Sequence, residues 1–243
     1  QAHMMTDAKE KINSLYNEKG FFFATVDVVS KISERNLMNI HVRVREGEKV
    51  GIKNLRFSGN KNFSDGDLSD QIETKAETWI SFLDESGLYK KDTLKLDVFR
   101  LEGYYQDHGY IRVRVQDPKI DIDRESKEIN ISIPIDEGLQ YRVGKITSKE
   151  DEVLKALKMK MRDVYSISKL RTGVMNIGDL YSERGYAYAD VNPITKINES
   201  SRTVDVNIEV DRGRKVYVGE ITIIGNTRTL DNVIRREFRL KEG

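Results

Sequence analysis

Apolar positions along this chain follow two spacings in turn, and the switch between them recurs. Leu94, Val98, Leu101 and Tyr105 stand at i, i+4, i+7 and i+11, and Leu170, Val174, Ile177 and Tyr181 repeat those steps. Each set forms one apolar stripe of an amphipathic helix. Each stripe runs into a glycine and then an aromatic, at Tyr105-Gln-Asp-His-Gly-Tyr110 and Tyr181-Ser-Glu-Arg-Gly-Tyr186. The same signature stands at Leu15-Tyr-Asn-Glu-Lys-Gly-Phe21. A glycine at that point takes the left-handed turn that stops a helix. Ser168 is placed to cap the second full helix.

Beyond each glycine the period drops to 2. Ile111, Val113 and Val115 alternate with Arg112, Arg114 and Gln116. Ala187, Ala189 and Val191 alternate with Tyr188 and Asp190, and Phe22, Ala24 and Val26 hold the same places in the first copy. These runs predict half-buried strands starting at the aromatic. Polar turns follow at 33–36, 123–126 and 198–201. A second alternating run then appears as Ile40, Val42, Val44, as Ile131, Ile133, Ile135, and as Val206, Ile208, Val210. Two such runs around a polar turn read as a hairpin.

A further strand starts almost at once. Residues 49–60 align without a gap on residues 215–226, ending in Gly59-Asn60 and Gly225-Asn226. The middle copy, Gln140 to Ile146, keeps the strand but has no Gly-Asn turn. Short helices are predicted behind these strands at 64–75, 149–157 and 230–238, the first opened by a weak capping box of Ser64 and Asp67.

The repeating unit is therefore strand, helix, helix, strand, strand. The boundaries predicted are a partial unit at 5–47 holding a helix and two strands, complete units at 48–137 and 138–212, and a partial unit at 213–243 holding a first strand and helix. The fold class expected is α+β, with each unit a three-stranded mixed sheet packed against two helices. Short joints predict a stiff, elongated array.

Composition narrows the function. Lys+Arg number 41 and Asp+Glu 40, a balance that argues against nucleic-acid binding and against a basic membrane-surface binder. No apolar run approaches the roughly 20 residues of a membrane helix. The absence of cysteine excludes disulfides and thiolate metal sites. Gln1 to Met4 reads as a cloning remnant, and the chain reads as an excised fragment. No catalytic constellation, metal site or cofactor fingerprint is found. His3, His41 and His108 have no metal-ligand spacing. Asp117, Asp121, Asp123 and Glu125 lack the glycine and the closing glutamate of a calcium loop and read as a solvated turn.

Two features point to binding. In a three-stranded sheet two strands are edges, and an edge offers unpaired N–H and C=O groups to an extended partner. Arg112 and Arg114 either guard such an edge against self-association or steer an acidic peptide. The second feature is the insertion Glu77 to Tyr89, with the sole tryptophan. Trp79, Phe82 and Leu83 either extend their unit's core, the use favoured because large exposed apolar patches are uncommon, or form an apolar partner site.

The helix ends, the Glu46-Gly47 and Glu137-Gly138 joints, the Gly-Asn turns, Ser86-Gly-Leu-Tyr89 and Thr227-Arg-Thr-Leu230 together resemble POTRA domains, the modules of the Omp85 family. The resemblance covers the chain apart from its first four residues. It implies a periplasmic array at the bacterial outer membrane, set ahead of a membrane β-barrel and acting as the scaffold of an outer-membrane protein assembly factor. It also implies unfolded outer-membrane proteins as clients, accessory lipoproteins and periplasmic chaperones as partners, and no enzymatic role. Clients would add as a strand to a sheet edge. The strands expected to receive them are Tyr110, Ile111, Arg112, Val113, Arg114, Val115 and Gln116, and Tyr186, Ala187, Tyr188, Ala189, Asp190, Val191 and Asn192. The alternative is a structural spacer of a two-partner secretion or other Omp85-type transporter that binds no client. The two partial units together hold the parts of one unit, so head-to-tail self-association is also expected.

Overall fold

The structure, a computed structural model, describes residues 2–32, 38–47, 49–77, 87–123, 125–126 and 128–237. Trp79, Phe82 and Leu83 lie outside the described residues. The chain divides into two compact units, Gln1–Gln140 and Tyr141–Gly243.

The first unit begins with helix α1 (Ala2–Glu18) and an antiparallel hairpin, β1 (Thr25–Ile32) and β2 (Met38–Arg45). A full copy follows: β3 (Ile52–Ser58), α2 (Asp65–Asp70), α3 (Lys91–Asp107), β4 (Arg114–Val115), β5 (Lys119–Asp123) and β6 (Glu128–Asp136). β6 is the middle strand. It takes β3 in parallel on one side and β4 and β5 antiparallel on the other. Val115 pairs with Ile135 and Lys119 with Ser132, so four steps on the edge strand meet three on β6. One extra residue is a β-bulge, and Pro118 sits in it.

The second unit holds β7 (Arg142–Ser148), α4 (Asp151–Leu157), α5 (Ile167–Ser182), β8 (Asp190–Asn198), β9 (Thr203–Asp211) and α6 (Asp231–Glu237). Its sheet order, β7-β9-β8 with β7 parallel, repeats that of the first unit. In the middle copy, α4 has seven residues against six in α2, so losing the Gly-Asn turn has not shortened the first helix.

Each full copy packs its sheet on the predicted helical stripe. Ile129, Ile131 and Ile133 of β6 meet Leu94, Leu101 and Tyr105 of α3 in one buried core. Val204, Val206 and Ile208 of β9 are buried in the second unit, as are Leu170, Ile177 and Tyr181 of α5. Ser64 and Asp67 form the predicted capping box. The cap of α5 is Ser166 and not Ser168. The Ser166 hydroxyl accepts the Lys169 N–H at 3.1 Å, which starts the helix two residues earlier.

The strands after the stop glycines begin later than their alternation predicts. Each glycine has φ near +89°. Gly109 N–H donates to the Gln106 carbonyl and Tyr110 N–H to the Tyr105 carbonyl, at 3.3 and 3.0 Å, and the same pairs recur at Gly20 and Gly185. This is the left-handed cap with 5→2 and 6→1 hydrogen bonds. A second turn follows immediately. Ala24, Val113 and Ala189 each donate at 3.1 Å to the carbonyl of the aromatic three residues earlier. That aromatic packs edge-on against the helix tyrosine, at 6.0 Å for Tyr16–Phe21, 5.7 Å for Tyr105–Tyr110 and 6.3 Å for Tyr181–Tyr186. The aromatics therefore plug the helix end, and four residues are spent turning before any strand pairs. A second difference is at residues 213–226, where no strand forms and only α6 behind them matches the prediction.

The two Gly-Asn turns give a direct test of packing against backbone strain. Gly59 and Gly225 have φ of +88° and +87°. A Cβ on Gly59 would lie 2.1 Å from the Ile135 carbonyl oxygen, while one on Gly225 meets nothing within 4 Å. Gly225→Ala is expected to cost only the left-handed strain, roughly 1–2 kcal/mol. Gly59→Ala adds a clash worth about 1–3 kcal/mol more. Urea unfolding of the two variants measures the difference.

Candidate functional site

Each full sheet has two edges: β3 and β7 carry a single bridge at or beside their first residues, Gly51 to Leu88 and Arg142 to Val164, while the opposite edges, β4–β5 and β8, pair only with β6 and β9. Among the described residues no strand pairs with the outer side of β4–β5 or of β8. These two edges differ in what lies beside them.

Next to β5 runs a groove floored by α3. Two adjoining cavities of about 380 and 360 Å³ share Tyr89, Lys91 and Ile120. One is lined by Leu94, Val98, Phe99 and Pro118 of the same copy, the other by Phe22, Ile122 and the end of α1. Ile120 and Ile122 stand on one face of β5, toward the groove, and Lys119, Asp121 and Asp123 on the other. Ile120 and Ile122 remain 39% and 38% exposed, so the edge presents apolar side chains next to unpaired backbone. A strand added to β5 would place every second side chain over this groove.

The edge of β8 offers less. Its first residues border a cavity lined by Lys149, Glu150, Asp190, Glu209 and Asp211, a polar setting in which carboxylates outnumber the one lysine. Pro193 pairs with Ile208 within β8 and has no N–H to give. A proline sits in an edge strand with its nitrogen turned to the open side, which blunts that edge.

Of the residues expected to receive a partner, Arg114, Val115, Asp190, Val191 and Asn192 are in edge strands. Tyr110, Ile111, Arg112 and Val113 are in the turn that follows α3, with Tyr110 and Val113 buried in the core. Tyr186, Ala187, Tyr188 and Ala189 form the corresponding turn after α5. Gln116 lies in the bulge, its N–H donating to the Pro134 carbonyl at 2.9 Å. Sequence reasoning missed Lys119 to Asp123, the longer part of the first edge. The signal was present, since Ile120 and Ile122 alternate with Lys119, Asp121 and Asp123. The aspartates drew attention to the turn instead. That turn does form: the Asp123 carboxylate accepts the N–H groups of Glu125 and Ser126 at 2.8 and 3.2 Å.

Two buried carboxylates hold the groove in place. Asp97 of α3 is fully buried. It accepts the N–H groups of Glu73 and Thr74, both at 2.9 Å, and the Arg100 guanidinium at 2.6 Å. It thereby ties the segment after α2 to the helix that floors the groove. Burial pushes its carboxyl up, but these donors together hold it below the ordinary carboxylate value. Glu137 accepts the Tyr105 hydroxyl at 2.9 Å and the Lys61 and Asn62 N–H groups at 2.8 and 3.0 Å. It joins the end of α3, the end of β6 and the Gly59-Asn60 turn. Burial raises it too, and the Asn62, Tyr105 and Lys61 donors bring it below its ordinary value. The first copy uses the Tyr16 hydroxyl and Glu46, at 3.1 Å. In the third copy Arg212 stands at the joint, and the carboxylate comes from Glu150. Glu150 accepts the Tyr181 hydroxyl at 2.6 Å and pairs with Arg212 at 2.7 Å.

Comparison with known proteins agrees with this architecture. The profile of the POTRA family, described as surface antigen variable number repeat, matches residues 1–47, 50–138 and 143–213. The outer membrane protein assembly factor BamA of Nitratidesulfovibrio vulgaris is 27% identical over 96% of this chain and 31% of its own length. BamA of Neisseria meningitidis serogroup B is 30% identical over 89% of this chain and 28% of its own. The chain thus spans about a third of these relatives. The crystal structure of Haemophilus influenzae BamA POTRA3-5 superposes with a TM-score of 0.61 at 25% identity, covering 80% of this chain and 78% of that one.

Asp97 makes stability depend on acid. Its folded-state value is lowered, so its contribution is complete above the ordinary carboxylate value near 4 and is lost as pH falls below it. Asp97→Asn leaves an amide N–H₂ facing donors. It is expected to cost about 2–4 kcal/mol at neutral pH and to flatten the acid limb of a stability–pH profile followed by urea unfolding.

Proposed function

The chain belongs to the POTRA family, and from that premise we propose that it is a periplasmic receiving segment of an outer-membrane protein assembly factor, binding unfolded outer-membrane proteins as added β-strands. The observation that carries this reading is the β5 edge beside the α3 groove. Main-chain groups of β5 supply hydrogen bonds that ask nothing of the client's sequence. The groove asks only that alternate side chains be apolar. A strand with one apolar and one polar face meets both demands. Such alternation is what a membrane β-barrel strand carries, with lipid-facing and lumen-facing residues in turn.

The two edges divide the work unequally. β5 has unbroken donors from Lys119 to Asp123 and an apolar floor. β8 has Pro193 and an acidic border, so it serves as a guarded edge. This reading moves client binding downstream of Tyr110 to Gln116 and onto β5. Accessory lipoproteins and periplasmic chaperones are further partners on this reading, and no reaction chemistry is assigned to the chain.

A fluorescent peptide alternating apolar and polar residues tests it. The chain is expected to bind the peptide, and Ile120→Asp to weaken that binding by about tenfold or more, consistent with loss of a central apolar contact. Ile194→Asp on β8 is expected to leave it unchanged. N-methylation of alternate peptide amides removes main-chain donors and is expected to abolish binding in one of the two frames. Equal affinity of the Ile120→Asp and unsubstituted chains contradicts the reading.

A further inference from the structure

The strands that open the two full copies, β3 and β7, are held at the same point in the same way. Ile52 N–H donates to the Gly87 carbonyl at 2.8 Å, and the Ile52 carbonyl accepts the Glu77 N–H at 2.6 Å. Val143 N–H donates to the Asp163 carbonyl at 2.8 Å, and the Val143 carbonyl accepts the Arg162 N–H at 2.8 Å. Glu77 and Arg162 therefore hold equivalent places, as do Gly51 and Arg142 one residue before Ile52 and Val143. The chemistry at these places is opposite. In the first unit the Glu77 carboxylate lies where a side chain on Gly51 would stand. In the second unit both places carry arginine.

A third arginine joins them. Arg142 donates its N–H to the Arg202 carbonyl at 3.0 Å and its Nη1 to the Arg162 carbonyl at 2.9 Å. It thus ties the loop before α5 and the β8–β9 turn to the start of β7. Arg162 and Arg202 have φ of +72° and +51°, and Lys158, which ends α4, has +54°. Among the described residues these are the non-glycine residues with positive φ, and each is basic. Glycine would take that backbone without strain, so each position keeps a cation at a cost.

Arg142, Lys158, Lys160, Arg162 and Arg202 are all exposed. Among the described residues none of them forms an ion pair, while Arg184 and Arg212 of the same unit pair with Glu152 and Glu150. Met161, 59% exposed, stands between Lys160 and Arg162. Asp190, Glu209 and Asp211 lie at the far end of β9, a nine-residue strand. That length is about 30 Å, well beyond a screening length of about 8 Å, so these carboxylates do not neutralise the basic end.

We propose that this end of the second unit, with Arg142, Lys158, Lys160, Arg162, Arg202 and Met161, is a docking surface for an acidic segment of another protein. Guanidinium groups take carboxylates through paired hydrogen bonds, and Arg and Met are enriched where proteins meet. Asp163 follows Arg162, and Glu199 accepts the Tyr141 hydroxyl next to Arg142. These two acids repel a uniformly anionic lipid surface, whereas a folded partner answers them with cations of its own. The segment that fits carries several carboxylates and an apolar side chain to cover Met161. The surface belongs to the second unit and does not depend on the reading of β5.

Fluorescence anisotropy with a labelled peptide of glutamates around a central leucine tests the proposal on the whole chain. The peptide is expected to bind, and to bind less tightly as salt rises. Arg162→Gly combined with Arg202→Gly is expected to weaken binding by about tenfold or more. The same double variant is expected to unfold at a higher urea concentration, because it relieves left-handed strain, so its lost binding is not lost fold. Arg56→Ala, which takes a cation from the first unit, is expected to leave the affinity unchanged. Equal affinity of the double variant and the unsubstituted chain overturns the proposal, as does failure of the peptide to bind. Binding to phosphatidylglycerol vesicles without binding to the peptide also overturns it and assigns the surface to a lipid headgroup.

Discussion

A helix leaves its last carbonyls without donors, and something outside the helix must supply them. In this chain the supply is the same each time, and much of the architecture follows from it. A glycine swings into the left-handed region, its N–H and that of the next aromatic close back onto the last turn, and the aromatic ring covers the helix tyrosine. The tyrosine hydroxyl then finds a carboxylate, from Glu46, Glu137 or Glu150. The glycine's own carbonyl is left pointing outward, and at Gly20 and Gly185 it takes the N–H of the first residue leading toward the next copy. A single cap thus ends a helix, aims a hairpin and, at those two joints, seats the following segment.

The cap also decides which backbone is left unpaired. Four residues are consumed in turning, so pairing begins at Arg114 and Asp190 rather than at the aromatics. β6 and β9 are buried between neighbours, and the strands that follow the caps, β4–β5 and β8, form the edges opposite β3 and β7. From there, local differences govern use. The bulge at Gln116 to Pro118 separates β5 from β4, and α3 lays Leu94, Val98 and Phe99 alongside it. In the second unit a proline stands in the edge strand, and carboxylates border the first residues of β8, the part that matches β4. On the proposed reading the same fold offers one receptive edge and one guarded edge, in keeping with the rule that fold alone does not assign function.

Much of this was legible in the amino-acid order because it depends on local chemistry. Helix stripes, stop glycines, the Ser64–Asp67 box and the alternation of Ile129 to Ile135 all act over a few residues, and each forms as read. What escaped reading depends on partners far along the chain. The pattern Ile111, Val113, Val115 alternates like a strand, but tertiary packing draws Tyr110 and Val113 into the core and breaks it. β5 was hidden because Asp121 and Asp123 read as turn residues, and only pairing with Asn130 and Glu128 makes them strand. Residues 215–224 have a strand's alternation yet pair with no strand among the described residues, and strand structure is stabilised by pairing rather than by propensity. The Glu150–Arg212 pair replaces a joint glutamate with a residue more than sixty positions away, which no local signal announces.

The central claim is that β5 presents a strand-accepting edge and β8 does not. Amide hydrogen exchange followed residue by residue by NMR, with and without an extended apolar–polar peptide, tests it most directly. In the free chain, alternate amides of Lys119 to Asp123 should exchange fast, because they face away from β6 and have no partner. With peptide bound, those same amides should become protected while β8 is unchanged. Fast exchange persisting on β5 in the bound state, or protection appearing along β8 instead, would contradict the account.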